Sequence, residues 1–267
     1  MGGRRCCIEL REWSIPETHP RYHSLVEREK LVEMMCDGVV VPQGLIAHGR
    51  GECFDYLIGE ESIPPALEAE KAAAAAIHVS KHPVISVNGN VAALAAREVV
   101  ELAEATGALI EVNLFYRTPE RARAIAHLLY EAGAKRVLGV DDAIAKIPGL
   151  DSMRGMVSPE GILKADYVLL GIEDGDRTEA LVRLGKRVAA IDLNPLSRTS
   201  LAASIPIPDH VKRALKNILR FYTSMSEREA EEIIKGFNPR KVLADTLLYI
   251  RDRLLKLASK ILDNTVV

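Results

Sequence analysis

Polar and charged residues collect at five places in this 267-residue chain, each directly after a short apolar run. The first run ends in Asn88-Gly89-Asn90, the second in Asn113, Tyr116 and Arg117, and the third in Asp141-Asp142. Glu173-Asp174-Gly175-Asp176-Arg177 follows the fourth, and Asp192-Leu193-Asn194-Pro195-Leu196-Ser197-Arg198-Thr199 the fifth. If the runs are strands of an open parallel sheet, these residues lie beyond the strand carboxyl ends, where such sheets bind ligands. Asn88 and Asn90 flank a glycine that permits close backbone approach, and the free amides of a following helix favour an anion. That turn can present amides and carboxamides to a carboxylate or phosphate. Asp192, between strand and helix, can accept hydrogen bonds from a nucleoside hydroxyl pair or an amine. Each cluster also has a plain structural reading, since Asn-Gly and Asp-Gly make turns and Asp, Ser and Thr cap helices. Their joint placement favours a site.

A second group lies nearer the N-terminus. The segment HPRYHSLVERE sets Arg21 and Arg28 two helical turns apart and therefore on one face. In HGRGE, Arg50 stands between Gly49 and Gly51; in a flexible loop such an arginine suits bidentate phosphate contacts, the alternative being a solvated surface arginine. His48 could act as acid, base or phosphate ligand, whereas His78, His82 and His127 fall in ordinary helical surroundings. Glu52 reads as the start of another helix. Neither the G-x-G-x-x-G fingerprint nor a P-loop is present, nor a Ser-His-Asp order or nucleophile elbow. Cys6, Cys7, Cys36 and Cys53 form no C-x-x-C pair and read as reduced thiols.

The elements that must position these groups follow from periodicity. Apolar runs at Val84–Val87, Leu109–Leu114, Arg136–Val140, Tyr167–Ile172 and Val188–Leu193 alternate with helical patterns, which predicts an α/β fold, a parallel sheet wrapped by helices. Val91, Leu94, Val99 and Leu102 share one helical face that Gly107 ends, and Thr118-Pro119-Glu120 forms a helix start. RGMVSPEGILK, residues 154–164, holds a Pro-x-Gly turn between two short extended arms and predicts a hairpin. Ahead of the sheet, Tyr22–Asp37 is helical by period, and Pro64-Pro65 opens an alanine-rich helix. Behind it, Asp209–Tyr222, Ser226–Lys235 and Arg240–Leu262 read as helices, the last amphipathic. No repeat or linker divides the chain.

Composition limits the partners. With 35 basic against 37 acidic residues and a formal net charge of -2, nothing in bulk attracts nucleic acid or an anionic membrane. No apolar run approaches the roughly 20 residues of a membrane span, and MGGRRCC lacks a signal-peptide core, so a cytoplasmic protein is expected. On physical grounds the reading ends at an α/β protein that binds a phosphorylated, nucleotide-type ligand through backbone amides and several arginines.

HPRY, the pair Arg28-Glu29, GLIAHGRGE, FDYLIGE, HPVISVNGNVAAL, NLFYRT, EDGDRTEALVR and DLNPLSR together resemble the archaeal phosphopantothenate synthetases, also called 4-phosphopantoate:beta-alanine ligases. The likeness runs from His19 to the last long helix, and residues 1–18, outside it, are expected to be an N-terminal extension. Residues 19–267 then form a single domain: a helical region 19–83, a Rossmann-like core 84–208 and C-terminal helices 209–267. The resemblance implies a homodimer; the amphipathic helix Arg240–Leu262 and the alanine-rich helix are candidates for its interface, the alanines being equally consistent with packing inside one chain. It also implies an ATP-dependent condensation of 4-phosphopantoate with beta-alanine in coenzyme A biosynthesis. The products would be 4'-phosphopantothenate, AMP and diphosphate, by way of an acyl adenylate.

By position in the shared strings, ATP contacts are expected at Arg28, Arg50, Asp192, Leu193, Asn194, Arg198, Thr199, His210 and Val211. Thr199 stands near where the family pattern calls for Ser or another small residue, and it keeps a hydroxyl. Asn88, Asn90, Asn113 and Arg117 are expected to hold phosphopantoate, and Glu173, Asp174 or His48 to handle beta-alanine and its amine proton. Arg50, His48 and Asn90 form the expected catalytic set, assisted by magnesium through unassigned ligands. Two other classes stay open. A ligase or kinase working through an acyl phosphate would release ADP, and a nucleotide sensor would bind ATP without need of an acid.

Overall fold

The computed structural model describes residues 15–263, so Cys6, Cys7 and most of the expected N-terminal extension lie outside it. Among the described residues the strands are β1 (Pro83–Val87), β2 (Leu109–Val112), β3 (Val137–Leu138), β4 (Ala145–Lys146), β5 (Met156–Val157), β6 (Tyr167–Gly171), β7 (Arg187–Ile191) and β8 (Ile205–Ile207). Six of them form one parallel sheet in the order β3-β2-β1-β6-β7-β8. With β4 and β5 set aside, that is third, second, first, fourth, fifth, sixth: a doubly wound sheet whose switch point, and hence its ligand crevice, lies between β1 and β6. The expected α/β architecture is present. Strand β8 carries no periodic signal because it is three residues long and interrupted by Pro206; it runs along the sheet edge, where proline is tolerated.

The helices are α1 (Tyr22–Cys36), α2 (Pro42–Ile58), α3 (Pro64–His78), α4 (Gly89–Thr106), α5 (Pro119–Glu131), α6 (Gly175–Arg183), α7 (Arg198–Ala202), α8 (Val211–Ser224), α9 (Glu227–Gly236) and α10 (Pro239–Leu262). Alternate strand residues face opposite layers. Ile85, Val87, Leu169, Ala189 and Ile191 join the core made with α3, α4, α5 and α8, whereas Val84, Val168, Leu170, Val188 and Ala190 pack with Leu181 of α6 and with Ile147, Val157 and Ile162. Burial on both faces explains why the strands read as unbroken apolar runs.

Three sequence expectations change. The stretch around Arg50 is no flexible loop: residues 42–58 form one helix, opened by Pro42 at its first position and closed by Gly59 at φ 98°. Gly44 leaves room for the Asn90 carboxamide, which a Cβ there would displace. Of the two readings of the alanine-rich helix α3, the internal one describes its alanines, which pack within the chain. Ala66, Ala69 and Ala72 through Ala76 are fully buried, and small side chains let α3 lie close against α8 and α9. The hairpin pairs β5 with the upstream β4 instead of with a downstream arm. The cause is Glu111 of β2, which accepts the amides of Ser158 and Ile162 and folds the segment back onto the sheet. Burial raises the Glu111 carboxyl to about 7. Among the cysteines, Cys53 is free and exposed while Cys36 is disulfide-bonded, so the reduced-thiol reading fails for Cys36.

One buried ionic group ties the layers together. Arg177 of α6 is 0% exposed; it donates to Glu173 at 2.6 Å and to the Ser86 hydroxyl of β1 at 3.0 Å. Glu173 also receives Arg154 at 2.9 Å, and Asn113 holds that segment by donating to the carbonyls of Arg154 and Met156. Replacing Arg177 by methionine leaves the Glu173 charge half-compensated in a buried place, and we expect a loss of about 3–5 kcal/mol in urea unfolding. A loss below about 1 kcal/mol would mean that Arg154 alone neutralises Glu173.

Candidate active site

A cleft of about 570 Å³ opens over the switch point, within the roughly 300–1,000 Å³ range of ligand pockets. Helix α2, the Asn88–Asn90 turn, the loops after β6 and β7, and the start of α8 form its walls. His48, Arg50, Asn88, Asn90, Glu173, Asp174, Asp192, Leu193, Asn194, Arg198, Thr199, His210 and Val211 all line it, bringing together groups spread over more than half the chain.

The Asn88-Gly89-Asn90 turn is largely structural. Asn88 caps α4 by accepting the Val91 amide, and its Nδ2 donates to the carbonyls of Gly171 and Ile172. It thereby clamps the end of β1 to the end of β6. Ile172, a β-branched residue at φ 51°, is held in that left-handed conformation by this bond and by its own amide, which donates to Ile191. Asn90 donates to Gly44 and docks α2. Gly89 is needed because a Cβ would strike the Val39 carbonyl, a constraint within the protein and not one set by a ligand.

The far wall is shaped by Asp192. It accepts the Asn194 amide at 2.9 Å and the Ser197 hydroxyl at 2.6 Å, closing the loop before α7, which Ser197 caps. Burial pushes its carboxyl upward, against those hydrogen bonds and the charge of Arg50. Thr199 donates to the Glu173 carbonyl and joins this loop to the one after β6. Arg198 pairs with Asp176 and Glu179 at the rim. At the base, Arg213 bridges Asp55 and Asp209, and Ser62 donates to Asp209. Behind them lies fully buried Glu70, whose carboxyl is pushed up to about 10 by burial and then by Asp209, so it is neutral.

Several expected ligands stand elsewhere. Arg28 and Arg21 share a face as expected, but both are engaged by Glu52, with Arg28 at 2.6 Å. Glu52, not Arg28, lines the cleft. Arg117 turns away and donates to the carbonyls of Gly139 and Val140, and Asn113 supports the Arg154 segment. Glu173 accepts two guanidiniums and the Asp174 amide, leaving it poorly placed to accept a proton from an amine. Sequence reasoning missed Arg121 and Arg154, which do line the cleft, as do Glu27, Asp55 and Asp209. None carries a local signal: Arg121 looks like the solvated face of an amphipathic helix, and Arg154 like one arm of a hairpin. Among the described residues no three His, Cys, Asp or Glu side chains gather as a metal site.

His48 has its pKa lowered from 6.5, first by burial and then by His210, and is therefore neutral at pH 7. A folded pKa below the unfolded one makes protonation oppose folding. The stability tied to neutral His48 is complete above about pH 6.5 and is lost as pH falls through the folded pKa. An imidazole NMR titration should place His48 below 6.5, and His210→Gln should move it part of the way back. A midpoint at or above 6.5 would show that burial does not govern this ring.

Residues 65–253 match the sequence model of a family described as phosphopantothenate/pantothenate synthetase. A Thermococcus kodakarensis protein named 4-phosphopantoate--beta-alanine ligase is 51% identical over 251 residues, covering 92% of this chain and 96% of that protein. Proteins of the same name from Methanospirillum hungatei and Methanosarcina mazei are 52% and 49% identical, over 90% and 92% of this chain and 98% of each relative. With most of its length inside the family model and half its residues shared with these relatives end to end, the chain belongs to the phosphopantothenate/pantothenate synthetase family.

Proposed function

We propose that this protein joins 4-phosphopantoate to beta-alanine at the expense of ATP, giving 4'-phosphopantothenate, AMP and diphosphate in coenzyme A biosynthesis in the cytoplasm. The observation that carries this reading is the near-complete alignment, at about half identity, with relatives bearing the ligase name. The chemistry of the cleft supports it. A carboxylate is a poor electrophile. ATP supplies activation: a carboxylate oxygen of the acid attacks the α-phosphorus and diphosphate leaves. The amine of beta-alanine then attacks the acyl carbon, AMP departs with that oxygen, and the nitrogen loses a proton.

Each step asks something of this chain. Arg50 lines the cleft without a carboxylate at ion-pairing distance among the described residues, and Arg198 stands at the rim; both can offset triphosphate charge. Asp192 and the backbone of Leu193 and Asn194 suit the nucleoside. Thr199 and the start of α8 at His210 and Val211 complete that wall. Arg28 acts through Glu52. A magnesium ion would come with the phosphates, since this cation keeps several waters and binds through one or two carboxylates and substrate oxygens. Neutral His48 is the best-suited acceptor for the amine proton, because Glu173 is committed to two arginines and Asp174 to Arg154. Asn90 and Asn88 set the floor on which the acid is oriented for in-line attack.

For assembly we propose a homodimer through α10, whose Leu247, Leu254 and Leu255 are exposed. No helix among the described residues is long and apolar enough to cross a membrane.

The deciding assay supplies ATP, magnesium and beta-alanine with either 4-phosphopantoate or pantoate, and separates AMP from ADP. AMP with 4'-phosphopantothenate, formed with the phosphorylated acid, supports the ligase; ADP points to an acyl phosphate, and ATP binding without turnover to a sensor. In the same assay Arg50→Ala should lower kcat/KM by about 10- to 100-fold, the scale of one charge-assisted contact, with its melting temperature retained. Wild-type kinetics in that variant would remove Arg50 from the site.

A further inference from the structure

The cleft has two ends separated by the sheet itself. The loop of Asp192 follows β7, whereas Arg121 belongs to α5, which follows β2. In the order β2-β1-β6-β7 those ends are three strand spacings apart, roughly 14 Å. A nucleotide held at the β7 end leaves the β2 end for the other substrate.

At that end Arg121 is an unbalanced cation. Its Nε and Nη2 donate to the Val39 carbonyl and its Nη1 to the Tyr116 carbonyl, which uses three of the five N–H groups a guanidinium carries. No carboxylate among the described residues pairs with it. Its charged neighbour is another cation, Arg154, which is itself paired with Glu173 and Asp174. Burial, followed by that like charge, lowers its pKa to about 10, so it remains charged at neutral pH. The guanidinium also lies against the first residue of α4, where a Cβ on Gly89 would approach Nη2 to 2.8 Å, and the amide end of a helix favours a negative group. A half-buried cation with spare donors and no carboxylate partner among the described residues, set beside a helix N-terminus, suits an anionic group.

Resting on the ligase reading above, we propose that Arg121 binds the terminal phosphate of the phosphorylated acid and is the residue by which the enzyme prefers that acid to its unphosphorylated form. The other cation-bearing candidate, Arg117, spends its Nη2 on backbone carbonyls and does not line the cleft.

Steady-state kinetics of the wild type, Arg121→Ala and Arg121→Lys with both acids test this. In Arg121→Ala the KM for 4-phosphopantoate should rise about 10- to 100-fold while the KM for ATP holds, and preference over pantoate should shrink by the same factor. Arg121→Lys, keeping the charge without the fork, should recover part of it. An unchanged KM for the phosphorylated acid, or equal rises for both substrates, would overturn the proposal, the latter by showing that Arg121 only braces Val39 and Tyr116. Inorganic phosphate with the wild-type enzyme gives a readout independent of how the variants fold. Competition against 4-phosphopantoate supports the assignment, and competition against ATP alone refutes it. Absence of AMP-forming turnover in the wild type would remove both the ligase reading and this one, whereas turnover with an indifferent Arg121→Ala would remove this one alone.

Discussion

Glu173 sits between two guanidiniums, and much of the site depends on that arrangement. A fully buried arginine is expensive to desolvate and stays buried only when a carboxylate and hydrogen-bond acceptors meet it with good geometry. Arg177 finds these in Glu173 and Ser86, and Glu173 finds a second cation in Arg154. The consequence is geometric: the end of β6, the start of α6, strand β1 and the inserted β4–β5 segment cannot move independently. All four border the crevice at the switch point. Glu111 adds a second anchor by holding the same insertion against β2. The insertion is thereby built into the wall of the cleft, and Arg154 is presented to it.

The same bookkeeping of charge sorts the arginines in and around the cleft. Arg28, Arg154, Arg198 and Arg213 are each matched by carboxylates and serve to hold elements in place or to tune a rim. Arg50 and Arg121 are not matched among the described residues. They stand at opposite ends of the crevice, Arg50 near Asp192 beyond β7 and Arg121 beyond β2. A reaction that must bring a phosphorylated acid and a nucleotide triphosphate together faces strong repulsion, and two separated free cations answer it without drawing both anions to one point.

Much of the layout was readable from residue order. Apolar runs separated by helical periods fixed the parallel sheet, because burial on both faces demands continuous hydrophobic strands. The strand-end rule then located most of the cleft residues, from Asn88 to Thr199, without any distance information. It failed where a polar side chain after a strand satisfies the backbone: Asn113 and Arg117 occupy the right places in the chain, yet Nδ2 of Asn113 and Nη2 of Arg117 donate to carbonyls. It also failed at β8, where a proline and three residues leave no period to detect.

The sequence by itself determined the fold class, the turn and cap chemistry around Asn88, Thr118 and Ser197, and, through long shared strings, the family. These depend on local preference and on periodicity, which a single chain displays. Only the tertiary structure decided which cations are free. Whether Arg28 or Arg121 has a carboxylate partner turns on contacts between distant elements: α1 with α2 for Arg28, and α5 with the Val39 loop for Arg121. A guanidinium's role follows from what neutralises it, and residue order alone does not record that.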